Sequence, residues 1–203
     1  MPGDVVDLRR ANDVAAGETP QILERIKDEI VALAVWRRSL PRDLTDGVDR
    51  AAVEALPRAR FFAPVADVGA ALEAACAGLP ESVRDALVED ASALAGRFAA
   101  VMGASGLHVR LERIETNACR KFHRDVVPAR LLCSYRGPAT EWGYAAAGET
   151  PEVIHRLERG DVAMVKGSEW PGGRPSTLLH RSPPIEGEGV ARLLLVVDLA
   201  EAL

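Results

Sequence analysis

The stretch LHVRLE, residues 107–112, divides the chain in two. Leu107, Val109 and Leu111 alternate with His108, Arg110 and Glu112. A period of two sets one face of a strand on a core and turns the other toward water. Just upstream the period is helical. Val83, Leu87, Leu94, Phe98 and Val101 share one helix face after Pro80, and Gly103 supplies the stop. Earlier still, Thr19-Pro20 places a capping hydroxyl before a first-turn proline. The helix it opens carries Ile22, Ile26, Ile30 and Leu33 on one face and fades before Pro41. Shorter helices are expected over residues 49–56, stopped by Pro57, and over 67–76, stopped by Gly78.

Downstream the strands continue. A second is expected over residues 129–135, closed by the turn Arg136-Gly137-Pro138. Others fall at 140–144, 153–157, 161–165, 177–181 and 190–199, with a Gly- and Pro-rich loop at 167–175 and a hairpin tip at Glu186-Gly187-Glu188-Gly189. Short strands at even spacing predict a barrel or sandwich. Helices first and strands second argue an α+β fold. The expected organisation is a helical region, 1–104, packed on a β core, 105–203, as one cooperative domain.

A chain of 203 residues, 48% hydrophobic, buries a real core. Its net charge of −5 and 4% aromatic content leave no electrostatic footprint for nucleic acid. Against that acidic balance, Arg120, Lys121 and Arg124 form a local basic patch, read as solvated surface that also supplies a helper field for an anionic ligand. Residues 1–10 hold no apolar signal-peptide core. The densest apolar run, Leu193 to Val197, is far short of the roughly 18 residues of a membrane span. Three cysteines without a CxxC pair fit a reducing compartment. The expectation is a cytoplasmic protein with neither membrane nor nucleic-acid partners, whose helical faces offer a surface for a homodimer.

Chemistry concentrates at His123-Arg124-Asp125. In extended chain, residues i and i+2 point to one side. His123 and Asp125 therefore present an imidazole and a carboxylate to one ion, and His180, on a distant strand, completes a facial set. Two neutral nitrogens and one carboxylate suit ferrous iron and leave open positions for cosubstrate, substrate and oxygen. Arg192, near the start of the last strand, offers a fork for a carboxylate. Tyr135 offers a hydroxyl from a neighbouring strand, Arg130 and Arg181 offer gates for an anionic substrate, and Trp170 offers a lid contact. His155 is the alternative to His180 as a ligand. Cys119 precedes His123 at a spacing used by zinc, but a structural zinc site needs four ligands and no second close pair is present. His108 reads as surface, Cys133 as core and Trp142 as packing. Gly187-x-Gly189 lies in a hairpin and is no dinucleotide fingerprint, and no Gly-x-Ser-x-Gly, P-loop or His-Glu-x-x-His occurs.

The order His-x-Asp, a long gap, His, then Arg on the next strand resembles the iron(II)/2-oxoglutarate-dependent oxygenases. RGDVAMVKG (159–167), LLHRSPP (178–184) and ARLLLVVDL (191–199) carry the likeness over residues 105–200. It implies a double-stranded β-helix, which is a cupin-like jelly-roll barrel. It also implies Fe(II) on His123, Asp125 and His180, and Arg192 on the distal carboxylate of 2-oxoglutarate. The implied reaction is oxidation of a substrate, small molecule or protein, with release of succinate and carbon dioxide. One position departs: that superfamily often carries a small hydroxyl residue two places after the arginine, where this chain has Leu194. The stretch CRKFHRDVVPARLLCSYRGPATEW (119–142) is similar to a bacterial family known as domain of unknown function 1826. Some of its relatives are linked to zinc homeostasis, which implies Zn(II) as the alternative metal and a non-catalytic cupin-like metal-binding protein as the alternative function.

Overall fold

The computed structural model describes residues 13–172 and 176–200. The expectation for residues 1–10 and part of the loop at 167–175 lie outside them. Among the described residues ten strands run in chain order: β1 (Val14–Gly17), β2 (Leu33–Trp36), β3 (Arg58–Pro64), β4 (Gly106–Ile114), β5 (Ala129–Arg136), β6 (Glu141–Tyr144), β7 (His155–Arg156), β8 (Val162–Lys166), β9 (Leu178–Arg181) and β10 (Arg192–Leu199). The helices are α1 (Arg42–Arg50), α2 (Val68–Ala75) and α3 (Glu81–Met102). Seven strands form one large sheet in the order β1-β2-β8-β5-β10-β4-β3, antiparallel except for β1 beside β2. A small sheet, β7-β6-β9, lies apart from it in hydrogen bonding. The molecule is a mixed α+β fold with a large sheet, as expected.

Strand alternation sets the layers. Leu132 on β5, Leu194 and Val196 on β10, and Ala163 and Val165 on β8 form one face, which packs on Leu178 and Trp142 of the small sheet. The opposite face, including Leu131, Leu195 and Val109, packs on Leu87, Leu94 and Phe98 of α3. The middle strands are thus buried on both sides, so β10 reads as a nearly continuous apolar run. Helix α3 ends where expected, at Gly103 with φ 69°. It is bolted to the sheet through Asp90, which receives two hydrogen bonds from Arg38, at 2.6 and 2.8 Å, and one from the Tyr135 hydroxyl at 2.6 Å.

The first hundred residues differ from their reading. The helix expected from Pro20 to beyond Leu33 is a 3-10 helix, Pro20–Lys27, and Leu33 belongs to β2. Ile30, expected on the buried face, is 51% exposed. Residues 33–36 are a short apolar run buried between neighbours, where period alone does not separate strand from helix. The helix expected over 49–56 lies earlier, as α1, followed by a short 3-10 turn at Val53–Ala55. Strands β1, β2 and β3 enter the large sheet from a region expected to be helical throughout. No helix among the described residues is long and apolar enough to cross a membrane.

Candidate metal centre

His123 reaches the small sheet as a single bridge beside β9. Its amide donates to the His180 carbonyl and its carbonyl accepts from the His180 amide, both at 3.0 Å. This backbone pairing puts the two imidazoles side by side, 4.7 Å between ring centres. Asp125 sits between them, with Oδ1 3.3 Å from His123 Nε2 and Oδ2 3.0 Å from His180 Nε2. One donor atom from each of the three residues lies within 4.8 Å of the others. Asp125 is held there by the end of β8. Ser168 N donates to the Asp125 carbonyl at 2.8 Å, and Gly167 N donates to that of Pro128 at 2.9 Å.

The crossing leaves no room for a side chain at residue 167. A Cβ on Gly167 stands 1.8 Å from the Val127 carbonyl oxygen and 2.8 Å from that of Asp125. The sequence reading took Gly167 as the start of a loop; in the fold it permits backbone contact under the candidate ligand. Gly167→Ala is expected to lower stability by about 3 kcal/mol, as overpacking against backbone does. Urea unfolding of the variant checks this; wild-type stability would show that the 125–128 segment yields freely.

The donor set fits a divalent ion. His123 Nδ1 lies 2.8 Å from the Lys121 carbonyl. Donation there fixes the tautomer and leaves Nε2 as a lone pair facing Asp125. Asp125 Oδ2 and His180 Nδ1 are buried without a hydrogen-bond partner. Burial alone raises the Asp125 carboxyl, but the two imidazoles and the Arg130 charge hold it well below the usual carboxylate range. The hydrogen bond to Asp125 lifts the His123 imidazole above its ordinary value, against the effect of burial. Proton and metal therefore compete for His123 Nε2.

Behind the carboxylate stands Arg130. Its Nη1 donates to Asp125 Oδ1 at 2.5 Å, and its Nε and Nη2 donate to Asp198 at 2.7 and 2.8 Å. Arg130 is thus engaged beside the triad. Arg181 is turned away from it, hydrogen-bonded to Glu141 at 2.7 Å and lying over the Phe122 ring. Tyr135 faces the helix side of β5, with its hydroxyl committed to Asp90, so it brings no hydroxyl to the face that carries Arg130. Trp170 packs on the helix-side core under the Lys166 ammonium, rather than over the triad. His155 is stacked on Trp142, with centres 4.2 Å apart, and is not grouped with the other two histidines.

Arg192 is completely buried. Its Nε donates to the Pro138 carbonyl and Nη1 to Ser182 Oγ, both at 2.7 Å, while Nη2 has no partner. Burial pulls its pKa down to about 10. No carboxylate among the described residues pairs with it. Ser182 escaped the sequence reading; its signal was alternation, since it follows His180 by the same i+2 step that links His123 and Asp125.

The two-sheet scaffold that brings these residues together is similar to that of solved structures. The rice dioxygenase for auxin oxidation is similar with a TM-score of 0.54 and 17% identity, over 93% of this chain and 83% of that one. The dioxygenase for auxin oxidation 1 of Arabidopsis thaliana, solved in complex with 2-oxoglutarate, is similar with a TM-score of 0.50 and 13% identity, over 94% and 92%. At these identities the likeness is one of fold. No curated protein matches the chain. The chain belongs to the family described as protein of unknown function DUF1826, whose model matches residues 17–198.

Proposed function

We infer that this chain is an oxygenase dependent on Fe(II) and 2-oxoglutarate, built on a double-stranded β-helix. The strand order supports the fold reading: β4-β10-β5-β8 as the larger face, and His123-β9-β6-β7 as the smaller. The observation that carries the function is the convergence of His123, Asp125 and His180, together with a buried Arg192 that meets no carboxylate among the described residues and bonds Ser182, two residues after His180. His123, Asp125 and His180 would hold the metal, and Arg130 restrains the Asp125 carboxylate through a hydrogen bond to Oδ1. Arg192 binds the distal carboxylate of 2-oxoglutarate. Ser182, already on its Nη1, supplies the hydroxyl that Leu194 does not. When bound, iron and 2-oxoglutarate together supply the activation of dioxygen. The chain's own residues orient the two and keep water out.

The test is anaerobic titration of the metal-free protein with Fe(II) and 2-oxoglutarate, followed by visible absorption. A weak charge-transfer band requiring both components is the expected result. Tight zinc binding with no such band would replace this reading with that of a non-catalytic metal-binding protein on the same three ligands.

A further inference from the structure

The small sheet sets an aromatic row on the face that carries the triad. Cross-strand register places His155 opposite Trp142, Trp142 opposite His180, and His180 opposite His123. Opposite residues project to one side of a sheet, with Cβ atoms about 4.5–5.5 Å apart. His155 and Trp142 are stacked with ring centres 4.2 Å apart, and His180 and His123 lie at 4.7 Å. Trp142 and His180 also line one narrow void between the sheets, closed by Leu132, Val165 and Leu178. The indole is thus the immediate neighbour of a candidate metal ligand.

From Trp142 the row turns outward. Tyr144, two residues on and so on the same side of β6, meets the Trp142 ring edge-on, with centres 6.0 Å apart. Its hydroxyl donates to the Asp13 carboxylate. Asp13 is fixed by its own carbonyl, which accepts from the Ala32 and Leu33 amides at 2.7 and 3.1 Å. Trp142 and Tyr144 are both half-buried, so solvent reaches the outer end of the row. This order has a chemical sense. An indole gives up an electron more readily than the aliphatic side chains around it. A phenol does so when its proton has an acceptor, and a hydrogen-bonded carboxylate is one.

We propose that Trp142 and Tyr144 form an electron relay that discharges the metal centre when dioxygen reacts there without substrate. This rests on the oxygenase reading, and it adds a protective function to the same site. In such a turnover 2-oxoglutarate gives two electrons and takes one oxygen atom, leaving as succinate and carbon dioxide. The other oxygen atom needs two electrons and two protons to become water. A site closed to water keeps that oxidising equivalent among the protein's own side chains. The relay supplies the electrons singly. Trp142 gives one to the centre, Tyr144 restores Trp142, and the phenolic proton passes to Asp13. A dissolved hydrogen-atom donor of the enediol class then rebuilds the Tyr144 phenol. Asp13 returns its proton to solvent, from which the centre draws one. Two passes consume two hydrogen atoms of the donor and form one water.

The experiment is rapid freeze-quench electron paramagnetic resonance of the full chain, loaded with Fe(II) and 2-oxoglutarate and mixed with dioxygen, with succinate measured in the same samples. Wild type should show a phenoxyl radical whose spectrum narrows with ring-deuterated tyrosine and decays faster with ascorbate. Tyr144→Phe should replace it with an indolyl radical. Asp13→Asn should do the same, because the phenol then has no proton acceptor. Trp142→Phe should abolish both signals. Tyr135→Phe is the control, since that hydroxyl serves Asp90 on the helix side and the spectrum should persist. Succinate formed in wild type without a protein radical would overturn the relay. So would a phenoxyl radical that survives Tyr144→Phe or Trp142→Phe. Failure of the oxygenase reading shows separately, as absence of succinate, and takes the relay with it.

Discussion

His180→Ala leaves a folded protein that no longer retains its metal. His180 holds β9 to the His123 segment through backbone atoms, and these survive the substitution. What is lost is one nitrogen of a set of three donor atoms. Removing even an outer partner of a metal ligand costs about 10–100-fold in affinity, so loss of a ligand should cost more than about a hundredfold. The stability cost in the metal-free state should be about 1–2 kcal/mol, the ordinary consequence of truncating a buried side chain. Metal content after dialysis, chelator competition and a thermal melt measure both quantities. Arg181→Ala is the matched control, because the adjacent side chain faces Glu141 and should keep its metal. Stoichiometric metal in purified His180→Ala would remove His180 from the centre.

Arg192→Met separates binding from stability. A buried cation without a counter-ion is costly to maintain, and an apolar residue of similar length removes that cost. The same change orphans the Pro138 carbonyl and the Ser182 hydroxyl, each worth about 1–3 kcal/mol if left unsatisfied. These opposing effects should leave the variant folded with stability near wild type. Its affinity for 2-oxoglutarate, by contrast, should fall by about a hundredfold or more, since two charge-assisted bonds are removed. In a thermal-shift series, 2-oxoglutarate with Fe(II) should raise the melting temperature of wild type and not of the variant. An unchanged ligand-induced shift in Arg192→Met would place the cosubstrate elsewhere.

The second half of the chain was legible because its strands obey one rule at a time. The alternation at Leu107, Val109 and Leu111 is β4, and the run at Leu193 to Val197 lies inside β10. The His-x-Asp spacing predicted a shared side for His123 and Asp125, and both face His180. The first half was less legible because β2 and β3 take partners from the second half of the chain. Residues 33–36 become a strand between β1 and the distant β8. The helical stripe expected from Ile22 to Leu33 had no way to register that. Arg130 was singled out as an anion gate, and its charge is instead absorbed by Asp125 and Asp198. Asp198 lies 68 residues from Arg130, so no local pattern linked the two. Tyr135 was a matter of parity: a shift of one residue along β5 exchanges the helix side for the inner face.

Strand β10 lies in the middle of the large sheet, between β5 and β4, yet comes after both in the chain. Such a sheet does not assemble by zipping successive hairpins. Until Arg192–Leu199 inserts, β4 and β5 present unpaired edges to each other, and Leu199 must find Leu107 across much of the polypeptide. The entropy of that closure is lost before the ladder rewards it, which places refolding among the slow, topology-limited cases. Open edges of this kind also invite pairing between chains while folding is incomplete. Because Asp198 on β10 anchors Arg130, and Arg130 anchors Asp125, the carboxylate is locked in place only with the final insertion. On the proposed reading, metal capture would report completion of folding and would not nucleate it.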